Sequence, residues 1–196
     1  MLRTLRTVIG AAVVLTASTV LAQPPTSEYF PLKDKAKWVY KVGDQTVEVE
    51  VVGKEKVGND DAIKVVTKVG GKEQAVELYQ VKADGVYRLK VKDEKIEPPV
   101  KVLATPAKKD TSWKIDSKVG AQTVKGEFKV KDDKEKVKVP AGEFDTIHVE
   151  GTDLDVAGAK TTVKLWFAKD KGVVKLVYVI QGTESVLELK EYTEGK

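Results

Sequence analysis

The sequence offers few residues that could perform acid–base or nucleophilic chemistry. Its 196 residues include one histidine, His148, and no cysteine. Without cysteine there can be no disulfide, thiolate metal site or cysteine nucleophile, and one histidine excludes a metal site with two histidines from a single chain. The alternation partners of His148, Thr146 and Glu150, are polar, so we expect a surface strand residue. No motif supplies a nucleophile within its reach. We therefore expect no catalytic residues and no enzyme activity.

Acidic residues form three short clusters whose carboxylates are the type of ligand that calcium prefers. These clusters are Asp60-Asp61, Asp132-Asp133, and Asp153 with Asp155. None has the spacing of a calcium loop, and aspartate is common in turns because it accepts hydrogen bonds from its own backbone. The glycines do not form a phosphate-binding motif. We expect neither a metal nor a cofactor.

The first 22 residues have the composition of a secretory signal peptide. Arg3 and Arg6 precede an uncharged, mainly apolar stretch from residue 8 to residue 21. This stretch is shorter than the roughly 20 residues that a membrane span needs. We expect export to the periplasm or the extracellular space, with no membrane span after signal removal. The alternative is an uncleaved N-terminal anchor.

The expected cleavage site lies between Ala22 and Gln23, where small residues end the apolar stretch. Residues 23–28, which include two prolines, are expected to be a mobile leader. Residues 29–196 then form one domain. The whole chain has a formal charge of +4, and only two arginines and no acidic residue leave with the signal. Apart from Arg88, the remaining basic residues are lysines. This near balance of basic and acidic residues does not favour nucleic acid as a partner.

Apolar and charged residues alternate along most of the domain. Val47, Val49 and Val51 alternate with Glu48 and Glu50, for example, which is typical of strands with one wet face. Turn residues recur at short intervals, and no segment has a helical stripe of helix length. The sequence therefore predicts an all-β fold of about a dozen strands, as an antiparallel flattened barrel, half-barrel or sandwich.

The alternation also predicts which side chains face the interior. Seven apolar residues are assigned to that face: Val47, Val49, Val51, Leu78, Val163, Leu165 and Phe167. Most of them are small, and small side chains pack well in a flattened barrel. We expect a largely filled interior with at most a narrow apolar cleft.

The sequence contains a weak internal repeat, at about residues 38–92 and 113–181. Residues 42–47 (VGDQTV) return as residues 119–124 (VGAQTV), and Trp38 and Trp113 precede the two copies. Matched order of several segments favours a duplication over chance resemblance of strands rich in valine and lysine. We expect both tryptophans to be core anchors in corresponding strands.

Five motifs resemble a diffuse group of uncharacterised exported bacterial proteins, TapB-like in name. They are residues 29–32 (YFPL), 38–40 (WVY), 139–146 (VPAGEFDT), 166–169 (WFAK) and 172–175 (GVVK). The group is similar in outline to the lipoprotein-carrier (LolA/LolB-like) fold, a curved antiparallel sheet that can hold an acyl chain. The resemblance implies export and no established activity. This sequence shows no lid helices of the kind found in that fold.

Two functions remain after an enzyme is set aside. The first is a structural or interaction module of the cell envelope, with an unknown envelope protein as its partner, a filled core and an exposed edge or patch. The second is a carrier or binding protein for a small apolar or lipid-like ligand. The second function requires several large apolar side chains around a cavity.

Overall fold

The computed structural model describes residues 27–196, so the expected signal peptide and the cleavage site at Ala22 and Gln23 lie outside the described residues. The described chain forms twelve β-strands. Their bounds are β1 (Lys37–Val42), β2 (Gln45–Val57), β3 (Asp60–Val69), β4 (Lys72–Lys82), β5 (Gly85–Val91), β6 (Glu94–Ala104), β7 (Ser112–Val119), β8 (Gln122–Val139), β9 (Gly142–Val156), β10 (Ala159–Ala168), β11 (Gly172–Ile180) and β12 (Thr183–Thr193).

The twelve strands close into a single antiparallel barrel. Each strand pairs with its neighbours in the sequence, and β1 pairs with β12, where Trp38 lies opposite Tyr192. Closure gives every strand a partner on both sides and removes the exposed edges of an open sheet. The prediction of an all-β antiparallel barrel of about a dozen strands is confirmed.

Six hairpins turn at one end of the barrel, which we call the tight-turn end, and each of their loops has two residues. The first loop residue has a positive φ of 50–59° in all six loops. Such turns match the right-handed twist of paired strands, because both turn and strands then rotate in the same sense. The six residues are Gly43, Gly70, Lys92, Gly120, Ala157 and Gln181.

The opposite end of the barrel is covered by residues 27–36, which we call the plug segment. The Phe30 ring lies 5.3 Å from the Tyr79 ring and 6.1 Å from the Phe167 ring, measured between centroids. The carbonyl of Glu28 accepts a 2.7 Å hydrogen bond from the Asp170 amide. Glu28, which the sequence assigns to a mobile leader, therefore contacts the β10–β11 loop.

The interior face agrees with the predicted alternation at six of seven positions. Val47, Val49, Val163, Leu165 and Phe167 line the interior, and Val51 is 1% exposed within the main core.

The prediction for Leu78 is wrong. This residue packs on the outer face of the barrel with Ala62 and Leu89, under the partly buried Val57 and Tyr87. The sequence is ambiguous here because apolar residues occupy both faces of β4. The neighbours of Leu78 along the strand, Glu77 and Tyr79, face the interior instead.

The two copies of the repeat fall on corresponding strands of the two halves of the barrel. The first copy lies on β1–β5 and the second on β7–β11, and the turns at Gly43 and Gly120 occupy equivalent places. Trp38 is buried, and its Nε1 donates a 2.6 Å hydrogen bond to the carbonyl of Lys171. Trp113 is only half-buried. The duplication itself stays a prediction.

Replacing Trp38 by alanine should destabilise the barrel more than replacing Trp113. We expect Trp38→Ala to lower the free energy of unfolding by about 3–5 kcal/mol, because it removes a buried aromatic side chain. It also removes a hydrogen bond between β1 and the β10–β11 loop. Trp113→Ala should cost less. Urea unfolding followed by circular dichroism measures both values. An unchanged unfolding midpoint for Trp38→Ala would show that the Trp38 side chain does not stabilise the barrel.

Candidate functional site

The barrel encloses a cavity of about 580 Å³. The expectation of a largely filled interior is therefore wrong. An eight-stranded barrel is just narrow enough for side chains to fill, and barrel diameter grows with strand number. Twelve strands leave space along the axis even though aromatic side chains such as Trp38, Tyr79 and Phe167 join the valines on the inner face. The apolar wall includes Val47, Val49, Val65, Val163, Leu165 and Leu187.

The cavity runs along the barrel from the plug segment towards the tight-turn end. At the plug end it is lined by Phe30, Pro31 and Leu32. At the tight-turn end it reaches Val156 and Ile180, the last residues of β9 and β11. Ile180 is 49% exposed, whereas Pro31 is buried. The plug end is thus the more tightly covered of the two.

One ion pair interrupts the apolar wall. Nη1 of Arg88 on β5 donates a 2.7 Å hydrogen bond to Oε1 of Glu77 on the adjacent strand β4. These two residues are the only charged residues that line the cavity within the described chain. About a third of the Arg88 side chain is accessible, and this area faces the lumen because Arg88 is one of the lining residues.

Alternation along β5 places Arg88 on the inner face, and a β-bulge follows it. Leu78 lies opposite Lys90 and Tyr79 lies opposite Arg88, so Leu89 is the extra residue on β5. A bulge of this kind bends the strand and changes the direction of nearby side chains. Leu89 packs outside the barrel while Arg88 and Tyr79 share the inner face.

The tyrosines beside the ion pair remain neutral phenols. Burial raises the pKa of Tyr79 well above its ordinary value, and it also raises the pKa of Tyr178. Burial acts to lower the pKa of Arg88, but the net shift is upward, and the charge of Glu77 and its hydrogen bond to Arg88 contribute to it. Arg88 therefore stays positively charged. Its Nε is buried and has no hydrogen-bond partner within the described part of the chain.

Sequence reasoning did not find this site, although one signal was present. Arg88 is the only arginine after residue 6 in a chain rich in lysine. Arginine suits a partly buried ion pair better than lysine does, because its planar guanidinium is more weakly hydrated and offers several fixed donors. A lone arginine on a predicted strand therefore marks a candidate interior position.

His148 lies on the outer face, as expected, but it is covered rather than freely exposed. Its ring stacks on Trp166 with centroids 4.3 Å apart and an interplanar angle of 16°. Nδ1 lies 2.9 Å from Oε2 of Glu135, and Nε2 is buried without a partner among residues 27–196. The expectation of a plain solvent-facing residue is wrong because the Trp166 ring and the Glu135 side chain flank the imidazole.

The acidic clusters belong to turns and surface ion pairs. Asp132 caps the amide of Lys134 at 2.8 Å, and Asp155 caps the amide of Gly158 at the same distance. Asp61 pairs with Lys56. Residues 27–196 contain no group of three acidic or histidine side chains arranged to hold a metal ion. The same residues include no helix with the length and hydropathy of a membrane span.

Comparison with known proteins gives a likeness of fold. No protein-family model matches the chain, and no curated protein matches it. A crystal structure of a candidate lipoprotein from Parabacteroides distasonis matches 86% of this chain and 100% of its own, at 12% identity and a TM-score of 0.53. A candidate exported protein from Bacteroides fragilis, described as having a YmcC-like fold, matches 86% of this chain and 97% of its own. Its identity is also 12%, and its TM-score is 0.50.

These two matches place the fold among proteins described as exported or as lipoproteins. Neither match carries the TapB-like or lipoprotein-carrier description, so that finer resemblance stays a prediction. At 12% identity the likeness transfers no ligand and no activity to this chain.

His148 should make the stability of the barrel depend on pH. Burial lowers its pKa below the ordinary value of 6.5, and it outweighs the opposite effects of Glu135 and Glu150. The unfolded chain therefore binds the proton more readily, so stability should fall as the pH drops below about 6.5. Urea unfolding at pH 7.5 and pH 5.5 should show this loss. His148→Gln should reduce it, and an equal loss in both proteins would rule out His148 as its source.

Proposed function

We propose that this protein is an exported, non-enzymatic carrier or binding protein that holds a small apolar or lipid-like molecule inside the barrel. The cavity of about 580 Å³ is the observation that supports this proposal. Small-molecule sites have volumes of roughly 300–1,000 Å³, apolar walls and a few polar groups that orient the ligand. The lumen has all three features. The envelope interaction module inferred from sequence assumed a filled core, and the open lumen removes that support.

The shape of the cavity favours an elongated ligand. It extends from the plug segment to the last residues of β9 and β11, with aliphatic side chains on most of the surrounding strands. Each methylene transferred from water into such a wall contributes about 0.8 kcal/mol. Affinity should therefore rise with chain length until the lumen is full.

We propose that the ligand enters through the tight-turn end. At the other end, the plug segment is fixed by a backbone hydrogen bond to Asp170 and by another from Lys35 to Val51. The aromatic contacts of Phe30 hold it further. The tight-turn end has no comparable covering segment within residues 27–196. The half-exposed Ile180 lies beside one of its turns.

Export of the chain is part of the proposal. It is supported by the basic and apolar leader in the sequence and by the likeness of fold to proteins described as exported or as lipoproteins. A protein that shields an apolar molecule from water has a clear use outside the cytoplasm. There, such a molecule would otherwise have to cross an aqueous space.

Narrowing the lumen with one bulky side chain should weaken binding. Val163 lines the cavity, and the adjacent Thr162 on β10 does not. We expect Val163→Trp to weaken binding of the uncharged dye N-phenyl-1-naphthylamine by about tenfold or more, which corresponds to about 1.4 kcal/mol. Thr162→Trp adds the same side chain outside the lumen and should bind the dye like the wild type. Dye fluorescence titrated against each folded protein measures the affinities.

Two results would contradict the proposal. The first is a wild-type protein that does not bind the dye. The second is a Val163→Trp variant that binds it as tightly as the wild type, since the dye would then sit outside the cavity. Circular dichroism of each variant establishes that the barrel is intact before the comparison is made.

A further inference from the structure

We infer that the ion pair in the lumen selects a ligand with an uncharged polar head that accepts hydrogen bonds, such as an ester, in preference to a free fatty-acid anion. This inference rests on the proposed function, because it names the chemical class of the ligand that the lumen holds. The residues that carry it are Arg88 and Glu77, with Tyr79 and Tyr178 beside them.

The donors of Arg88 require an acceptor on the ligand. A guanidinium carries five N–H groups and cannot accept a hydrogen bond. In this structure one nitrogen of Arg88, Nη1, donates to Glu77, while the buried Nε has no partner among the described residues. The accessible part of the side chain faces the lumen. A bound head group that lies against Arg88 must therefore present an oxygen with free lone pairs.

The charge of Glu77 decides which acceptor fits best. Glu77 already balances Arg88 at a distance of 2.7 Å, and no other charged side chain lines the cavity within residues 27–196. A carboxylate head would add a second negative charge next to Glu77 in a largely apolar lumen. A buried charge without a partner is unfavourable, because no attraction to an opposite charge offsets the free energy of its desolvation. A carbonyl or hydroxyl oxygen accepts the same hydrogen bonds without adding charge.

The other polar side chains that line the lumen do not change its net charge. Tyr79 and Tyr178 are neutral phenols, so they can contribute hydroxyl donors but no positive charge. Thr67 and Thr161, which also line the cavity, are uncharged too. The lumen therefore offers donors with a net charge of zero, which is the complement of an uncharged acceptor.

Competition between two ligands of equal chain length tests this inference. Methyl laurate and laurate are each titrated at pH 8 against wild-type protein carrying N-phenyl-1-naphthylamine, at concentrations below micelle formation. We expect methyl laurate to displace the dye at least about tenfold more tightly than laurate does. Glu77→Gln removes the negative charge and leaves Arg88 uncompensated, so it should shift the preference towards laurate by about tenfold or more.

A matched control removes an equal charge from the outside of the barrel. Glu50 pairs with Lys68 at 3.3 Å and does not line the cavity, so Glu50→Gln should keep the wild-type preference. Equal or tighter binding of laurate by the wild type would overturn the inference, and this comparison does not depend on the folding of any variant. An unchanged preference in folded Glu77→Gln would overturn it as well. Failure of the wild type to bind the dye would instead overturn the proposed function.

Discussion

The structure depends on the closure of twelve strands through the pairing of β1 with β12. Closure gives every strand a neighbour on both sides, and it also fixes a diameter that the inner side chains do not fill. A lumen therefore follows from the strand number and from the composition of the inner face. In a narrower barrel the same side chains would form a solid core. The plug segment at one end and the two-residue turns at the other then give this lumen two unlike ends.

A charged side chain is stable in an apolar lumen only when it is paired with an opposite charge and hydrogen-bonded. Glu77 and Arg88 meet this condition as a directly hydrogen-bonded pair on adjacent strands, and alternation along β5 places Arg88 on the inner face opposite Tyr79. Because the pair has no net charge, it can supply polar contacts without attracting a counter-ion. The tyrosines next to it stay neutral. The polar part of the site therefore gives orientation to a ligand, while the aliphatic wall provides most of the binding free energy.

Local pattern in the sequence predicted the strands, their number and most of the inner face, because alternation with period two is a local property. Leu78 was misassigned because both faces of β4 carry apolar residues, and a satellite cluster outside the barrel buries the face that alternation would leave wet. The cavity was missed because its volume depends on closure between the first and last strands, which no local pattern reveals. The pairing of Glu77 with Arg88 depends on the register between β4 and β5, which places Tyr79 opposite Arg88 and Glu77 two residues further along the same face. His148 was misjudged because Glu135, thirteen residues away, reaches it from the neighbouring strand β8.

Native mass spectrometry of the protein purified from its own cells shows whether the lumen holds an apolar small molecule. We expect one uncharged amphiphile bound per chain, which is released on unfolding and identified by its mass. After removal of that molecule, the chain should take up one methyl laurate. A chain that carries no bound molecule from cells and takes up no methyl laurate would show that the lumen is not a binding site.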